Sequence, residues 1–392
     1  NLPLEEIKEN LDISMRGAML CLHLLHDFMP YIGWNAKALQ NHFLDLLWES
    51  GLNTLLIEYE AMYPWKSPHT RIACTDAYSP EDITALNKEA AKREITIIPL
   101  IQTLGHVYHI LLHEEYQHCA ELPGQLQQLC PSNQQTFKLI FELLDDVIDR
   151  HPDSPYIHIG GDECRLLGKC PKCQEFAENS PGGVYRLYVE YYKKITNYLL
   201  SRNKIPILWH DVVIKNVELL SEFDPQVLFM YWNYGDHCHG SLEQELEQLL
   251  KIIPNDRIIG APASRCESAH GSLLHSMSLS MDNIRRMNQK ILQNRCFGSI
   301  LTDWPDSGIP FLLSGPLIQY HGERSRAHKD ADNFNTRFSK EYFGVDAPDF
   351  FDKINALYGE IPFAKGFQTE LVSHLNRYDF RSSSSQKDIV LF

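Results

Sequence analysis

The chain has no stretch approaching the roughly 20 consecutive apolar residues of a membrane span. It therefore offers no membrane-crossing helix. It shows no internal repeat, which argues against a solenoid or propeller. Its only low-complexity tract is the short Ser382–Ser385 run. Basic residues are the scarcer charge, 36 Lys and Arg against 51 Asp and Glu, for a formal net charge of −15. That balance argues against nucleic acid or an anionic membrane surface as a partner and for ordinary solubility. No signal-peptide pattern opens the chain. Ten cysteines without an evident pairing then favour a reducing compartment, and the cytoplasm is the expected location. Residue 1 is Asn, so a secretion signal removed in processing would leave the same start.

What is present is a large apolar budget. At 392 residues and 44% hydrophobic content, the chain can bury one large core and exceeds the roughly 250 residues of a bare barrel. Short apolar runs bounded by turn signals read as strands at Arg16–His23, Asn53–Tyr59, Thr96–Ile101, Tyr156–Gly160, Ile205–Trp209, Val227–Tyr231, Arg257–Ala261 and Ser299–Asp303. Helix-period stretches lie between them at Ala36–Ser50, Pro80–Arg93, Asn133–Arg150, Val184–Asn203, Leu242–Ile252 and Met281–Asn294. Eight strands alternating with helices predict an α/β fold, the TIM (β/α)8 barrel. Past Ser314 the pattern turns helical and polar through Gln319–Phe343 and Phe350–His374. The expected organisation is a catalytic barrel over residues 1–320 and a C-terminal helical extension over 321–392, whose outer surface could serve a homodimer.

The most informative segment is His158-Ile159-Gly160-Gly161-Asp162-Glu163, at the end of the fourth strand. The glycine pair permits a sharp turn and close approach of a ligand. Adjacent carboxylates at the C-terminal end of a barrel strand sit where such folds keep their chemistry. In one apolar cleft the two cannot both ionise freely, so one should stay protonated near neutrality and serve as an acid. A solvated acidic loop is the plainer alternative.

This segment resembles the His-x-Gly-Gly-Asp-Glu signature of glycoside hydrolase family 20, the β-N-acetylhexosaminidases. The resemblance is to the short, single-barrel branch, since the first strand begins within about 15 residues and no small α/β domain is visible ahead of it. It implies a retaining exo-enzyme that removes terminal β-linked GlcNAc or GalNAc from a glycan or glycoconjugate. The substrate's own 2-acetamido oxygen would be the nucleophile, forming an oxazolinium, with no cofactor required. Glu163 would be the general acid and then the base; Asp162 would hold the acetamido N–H. Arg16 would fork onto the sugar's outer hydroxyls, with a salt bridge at the barrel bottom as the alternative. His106, in Gln102-Thr103-Leu104-Gly105-His106, matches a family histidine near the acids, though a structural histidine reads equally well.

Trp209, Trp232 and Trp304 close strands five, six and eight and could wall an apolar box for the acetamido methyl. A tyrosine hydroxyl should fix the acetamido carbonyl. Tyr231 is the choice, with Tyr234 kept open because alternation puts Tyr231 and Trp232 on opposite faces. Asp306, two residues past Trp304, matches a position that binds outer hydroxyls, although Pro305 replaces the usual glycine between them. Asp211 and Glu58 are weaker strand-end candidates. Two other readings stay open: a barrel glycosidase with a separate carboxylate nucleophile such as Asp211 or Glu58, and a non-catalytic sugar-binding barrel.

Cys170-Pro171-Lys172-Cys173, close behind Glu163, looks like half of a structural zinc knuckle. The other half would come from His237-Cys238-His239 and Cys266. Free thiols and a disulfide are the competing readings.

Overall fold

The computed structural model describes residues 13–22, 36–235, 240–264, 266, 276–304, 314–326, 333–353 and 356. Eight parallel strands close into a barrel in sequence order. They are β1 (Met15–Cys21), β2 (Thr54–Glu58), β3 (Thr96–Leu100), β4 (Tyr156–His158), β5 (Ile205–Trp209), β6 (Leu228–Trp232), β7 (Ile258–Ala261) and β8 (Gly298–Leu301). β8 returns to β1, with Met15 opposite Gly298 and Ala18 opposite Leu301. Every expected strand overlaps an observed one. The protein is a (β/α)8 barrel.

The helices are α1 (Ala36–Glu49), α2 (Pro80–Lys92), α3 (Tyr108–Leu111), α4 (Gln134–Arg150), α5 (Pro171–Glu178), α6 (Gly183–Ser201), α7 (Leu242–Leu250), α8 (Met277–Gln293), α9 (Gly315–Ser325) and α10 (Phe334–Phe343). Local chemistry starts several of them. Ser79 and Asp82 form a reciprocal capping box ahead of α2, with Pro80 in its first turn. Asn133 caps α4 and Ser241 caps α7. After β5 a kinked 3-10 run over Asp211–Glu222 stands in place of a regular helix.

Both faces of the strands are buried, which is why they read as near-continuous apolar runs. Met19, Leu56, Ile98, Leu100, Ile207, Met230, Ile259 and Ile300 fill the barrel interior. Ala18, Leu20, Leu55, Ile57, Ile97, Ile157, Leu208 and Phe229 face the helical shell. Truncating one such buried Leu or Ile to Ala would cost about 2–5 kcal/mol.

Parallel strands gather their C-terminal ends on one rim. Register aligns Cys21 with Glu58, Glu58 with Leu100, and Leu100 with His158. Arg16 is on the opposite rim, which overturns its assignment to the sugar. It lies five residues before Cys21, roughly 16 Å away at strand rise. It also sits on the shell-facing side of β1. Its Nε donates to the Gly51 carbonyl at 3.2 Å and a terminal nitrogen to the Ile13 carbonyl at 2.6 Å. Burial, then the nearby Arg326, lowers its pKa.

The boundary drawn at residue 320 falls inside α9, which runs on to Ser325 and packs on α8, α1 and the β1–β8 seam. The helical stretch read over Gln319–Phe343 holds the end of α9 and all of α10. α10 attaches to α9 through an aromatic cluster, with Tyr320–Phe334 centroids 5.1 Å apart and Phe338–Phe351 5.3 Å.

Candidate active site

β4 stops at His158 because the chain then turns through two glycines with positive φ, Gly160 at 68° and Gly161 at 103°. A side chain at Gly161 would meet the Tyr188 hydroxyl at 2.6 Å and Leu208 Cδ1 at 2.7 Å. The turn is bolted from behind by α6. Tyr188 Oη donates to the Gly161 carbonyl at 2.8 Å, and Tyr191 Oη to the Thr103 carbonyl at 2.5 Å. Thr103 Oγ1 in turn donates to the Ile159 carbonyl at 2.7 Å, tying the loop after β3 to the loop after β4. Sequence reading missed these tyrosines. Their one signal was the 188, 191, 192 spacing, which places three tyrosines on one helical face.

The turn delivers Asp162 and Glu163 to the rim beside His106. His106 Nε2 lies 3.3 Å from Asp162 Oδ2 and 3.7 Å from Glu163 Oε2. Both His106 (φ 52°) and Glu163 (φ 46°) hold left-handed backbone that residues with side chains rarely adopt. Such conformations persist where surrounding contacts over-determine them, and they cluster at working sites. Burial opposes charge on the His106 ring. The Asp162 hydrogen bond and the charges of Asp162, Glu58 and Glu163 outweigh it and raise its pKa to about 9. His106 is thus an imidazolium at neutral pH.

Asp162 keeps one oxygen unspent. Oδ2 faces His106, whereas Oδ1 is buried with no hydrogen-bond partner among the described residues. Two buried donors, His158 Nε2 and Trp209 Nε1, also have no partner among the described residues. His158 Nδ1 accepts the Gly160 N–H at 3.1 Å, so its ring proton resides on Nε2. Burial pushes its pKa down to about 3 and keeps the ring neutral.

Glu163 is more open, with 38% of its side chain exposed. Its Oε1 accepts from Arg165 at 2.9 Å, and its backbone N–H donates to Asp211 Oδ2 at 3.0 Å. Asp211 Oδ1 accepts the Trp232 indole N–H at 3.3 Å. Burial and then the Asp162 charge raise the Asp211 pKa to about 7, against the Glu163 and Trp232 hydrogen bonds. Asp211 therefore acts as a brace under Glu163. Glu58 is also committed, accepting from Cys21 Sγ at 3.1 Å and Gln102 Nε2 at 2.9 Å.

The aromatic wall assembles as strand ends meet. Trp209 packs 4.4 Å from His158 and 6.1 Å from Trp304. Trp232 lies 5.3 Å from Tyr234, whose hydroxyl accepts the Trp304 indole N–H at 2.7 Å. Tyr231 is not in this wall, contrary to the first choice. It points out of the barrel, donating to the Leu242 carbonyl at 2.8 Å beside Glu245. The strand's inward positions are Leu228, Met230 and Trp232, so alternation sends Tyr231 outward. Asp306 lies outside the described residues, as does the His237–His239 segment. Cys266 sits elsewhere, its thiol donating to the Ala263 carbonyl at 3.5 Å. Cys170 and Cys173 instead face Cys130 and Glu121, neither of which was singled out in the sequence.

A closed (β/α)8 barrel with adjacent acids at the C-terminal rim of its fourth strand holds those acids where barrel enzymes keep their active sites. The family follows from comparison with known proteins. Residues 54–253 match the glycosyl hydrolase family 20 catalytic domain, and the chain belongs to that family. It is similar to hexosaminidase D of Bos taurus, 28% identical over 190 residues that cover 47% of this chain and 55% of the relative. The human hexosaminidase D match is also 28% identical, covering 47% of this chain and 39% of that protein. The aligned region thus spans about half the length of these relatives or less. Among solved structures, the fold is similar to a Flavobacterium johnsoniae chitobiase with a TM-score of 0.66 and 19% identity, covering 88% of this chain and 52% of the other. A β-N-acetylhexosaminidase from Bacteroides fragilis gives 0.62 and 17%, covering 85% and 71%.

Proposed function

We propose that the protein is a retaining exo-β-N-acetylhexosaminidase acting on glycans or glycoconjugates with terminal β-linked GlcNAc or GalNAc. The observation that carries this reading is the buried Oδ1 of Asp162, which has no partner among the described residues and lies beside a second acid. A carboxylate oxygen held out of water without a donor is costly, and an acetamido N–H is a donor of the right kind. With its N–H held there, the amide carbonyl oxygen attacks C1 as Glu163 protonates the departing glycosidic oxygen. Water then adds to C1 and returns its proton to Glu163, opening the oxazolinium. Two inversions give net retention. The aromatic wall of Trp209, Trp232, Trp304 and Tyr234 supports a pocket for the acetamido methyl and the pyranose face. The imidazolium of His106 supports negative charge on Asp162 while positive charge develops on the sugar. Chemistry of this kind uses no cofactor. Buried thiols among the described residues, Cys164 directly after Glu163 among them, support a reducing compartment.

A panel of nitrophenyl glycosides tests the reading. GlcNAc and GalNAc substrates should be cleaved and glucose or galactose substrates spared, with competitive inhibition by an oxazoline-mimicking thiazoline. Glu163→Gln should lose about 10²–10⁴ in kcat on substrates with poor leaving groups. Equal cleavage of sugars lacking the amide would sink the proposal and favour a separate carboxylate nucleophile.

A further inference from the structure

Behind the rim, three sulfur atoms and a carboxylate converge from separate parts of the chain. The ligand atoms of Glu121, Cys130, Cys170 and Cys173 all lie within 4.8 Å of one another. Cys130 Sγ is 3.6 Å from Cys170 Sγ and 3.7 Å from Cys173 Sγ. Cys173 Sγ is 3.4 Å from Glu121 Oε2. Sulfurs at two corners of a tetrahedron around zinc, each about 2.3 Å from the metal, stand about 3.8 Å apart. The observed spacings are close to that edge, with space between the four atoms for one ion.

The surroundings suit a metal better than four ordinary side chains. Glu121 is 2% exposed, and among the described residues no Lys, Arg or His forms a salt bridge with it. A buried carboxylate without a countercharge is expensive. Its Oε1 is oriented by the backbone N–H groups of Lys169 and Cys170, at 2.8 and 2.9 Å, leaving Oε2 turned toward the sulfurs. Cys170 caps α5, and its sulfur accepts the Cys173 N–H at 3.4 Å. Outer contacts that fix a carboxylate and hydrogen-bond a sulfur are the sort that hold metal ligands in place.

We propose that Glu121, Cys130, Cys170 and Cys173 form a tetrahedral structural zinc site. Cys170 ends the loop that begins at Glu163 and Cys173 is in the first turn of α5, while Glu121 and Cys130 lie in the segment between His106 and α4. The Leu166 N–H, bonded to Gln128 Oε1 at 2.8 Å, joins the same two loops nearer the rim. Zinc here fastens the segment carrying the acids to the segment carrying the imidazolium. Binding releases the thiol protons to solvent, and the ion takes no part in the sugar chemistry. The inference stands on this cluster alone and is independent of the substrate.

The test uses the full, untagged chain under reducing conditions. Elemental analysis should find about one zinc per chain. After chelation, titration with cobalt chloride should saturate at one equivalent, with the d–d bands of tetrahedral cobalt and a thiolate charge-transfer band. Cys130→Ser and Cys173→Ser should weaken that band and lower metal affinity at least tenfold. Glu121→Gln keeps all three sulfurs, so it should retain the band yet bind cobalt about 10–100-fold more weakly. If the cysteine variants do not fold, the wild-type titration and Glu121→Gln decide the matter. Folded wild-type chain that takes up no cobalt while its thiols remain titratable overturns the site. So does a Cys130 disulfide found by non-reducing peptide mapping.

Discussion

At the scale of single residues, the division of labour between Asp162 and Glu163 follows from what each side chain already touches. Asp162 has one oxygen on His106 and one in the interior with no partner among the described residues. Glu163 is more exposed, and among the described residues its carboxylate meets the exposed Arg165 and the edge of His106, so it can exchange protons with solvent and a leaving group. Asp162→Asn puts an amide where an acceptor is needed and removes the charge facing the imidazolium. Turnover of an N-acetylated nitrophenyl glycoside should fall about 10²–10³-fold, by analogy with removing one preorganised electrostatic contact. Steady-state kinetics checks this, and near-normal kcat would remove Asp162 from its assigned role. The residues that misled the sequence reading share one cause. Arg16 and Tyr231 have suitable chemistry, but a side chain's usefulness depends on which rim and which face of the barrel receives it.

At the scale of elements, the site is a turn held between two loops. Gly160 and Gly161 swing the acids onto the rim, and the tyrosine face of α6 prevents the turn from relaxing. Gly161→Ala would force a Cβ into the Tyr188 hydroxyl and Leu208 at an unfavourable φ. Strain of about 1–3 kcal/mol is expected from the backbone alone. Thermal unfolding of the variant should show that loss together with reduced kcat. An unchanged melting temperature and full activity would mean that the turn tolerates a side chain. The motif made this element legible, since a Gly-Gly-Asp-Glu run after an apolar strand admits few backbone paths. The braces were not legible. Asp211 and Tyr188 reach the turn from other elements, and their roles exist only once β4, β5 and α6 are packed together.

For the whole molecule, buried titratable groups set how stability varies with pH. His151, His158 and His321 are held neutral by burial, with pKa values of about 4, 3 and 4. Each contributes stability that is full above its unfolded value near 6.5 and lost as pH falls toward its folded value. His106 works oppositely: raised to about 9, it stabilises fully below 6.5 and loses that contribution as pH rises through 9. Asp211, raised from 3.8 to about 7, also loses its contribution with rising pH, across the window between those values. Three histidines outweigh one aspartate on the acid side, and His106 governs the alkaline side. Melting temperature should therefore peak near pH 6–7 and decline in both directions, with His106→Gln flattening the fall between 6.5 and 9. Scanning calorimetry from pH 4 to 10 checks this; a steady rise through pH 9 would contradict it.

The sequence by itself determined the barrel and the place of its acids. Alternating apolar strands and amphipathic helices can bury their faces in few ways, and the motif's position on the fourth strand then assigns it a rim. Tertiary structure alone decided which supporting groups meet there. Glu121 and Cys130 are far along the chain from Cys170, and they meet it only when the loops after β3 and β4 fold over each other. Contacts between such distant residues depend on strand direction, facing and loop path, none of which leaves a local signature.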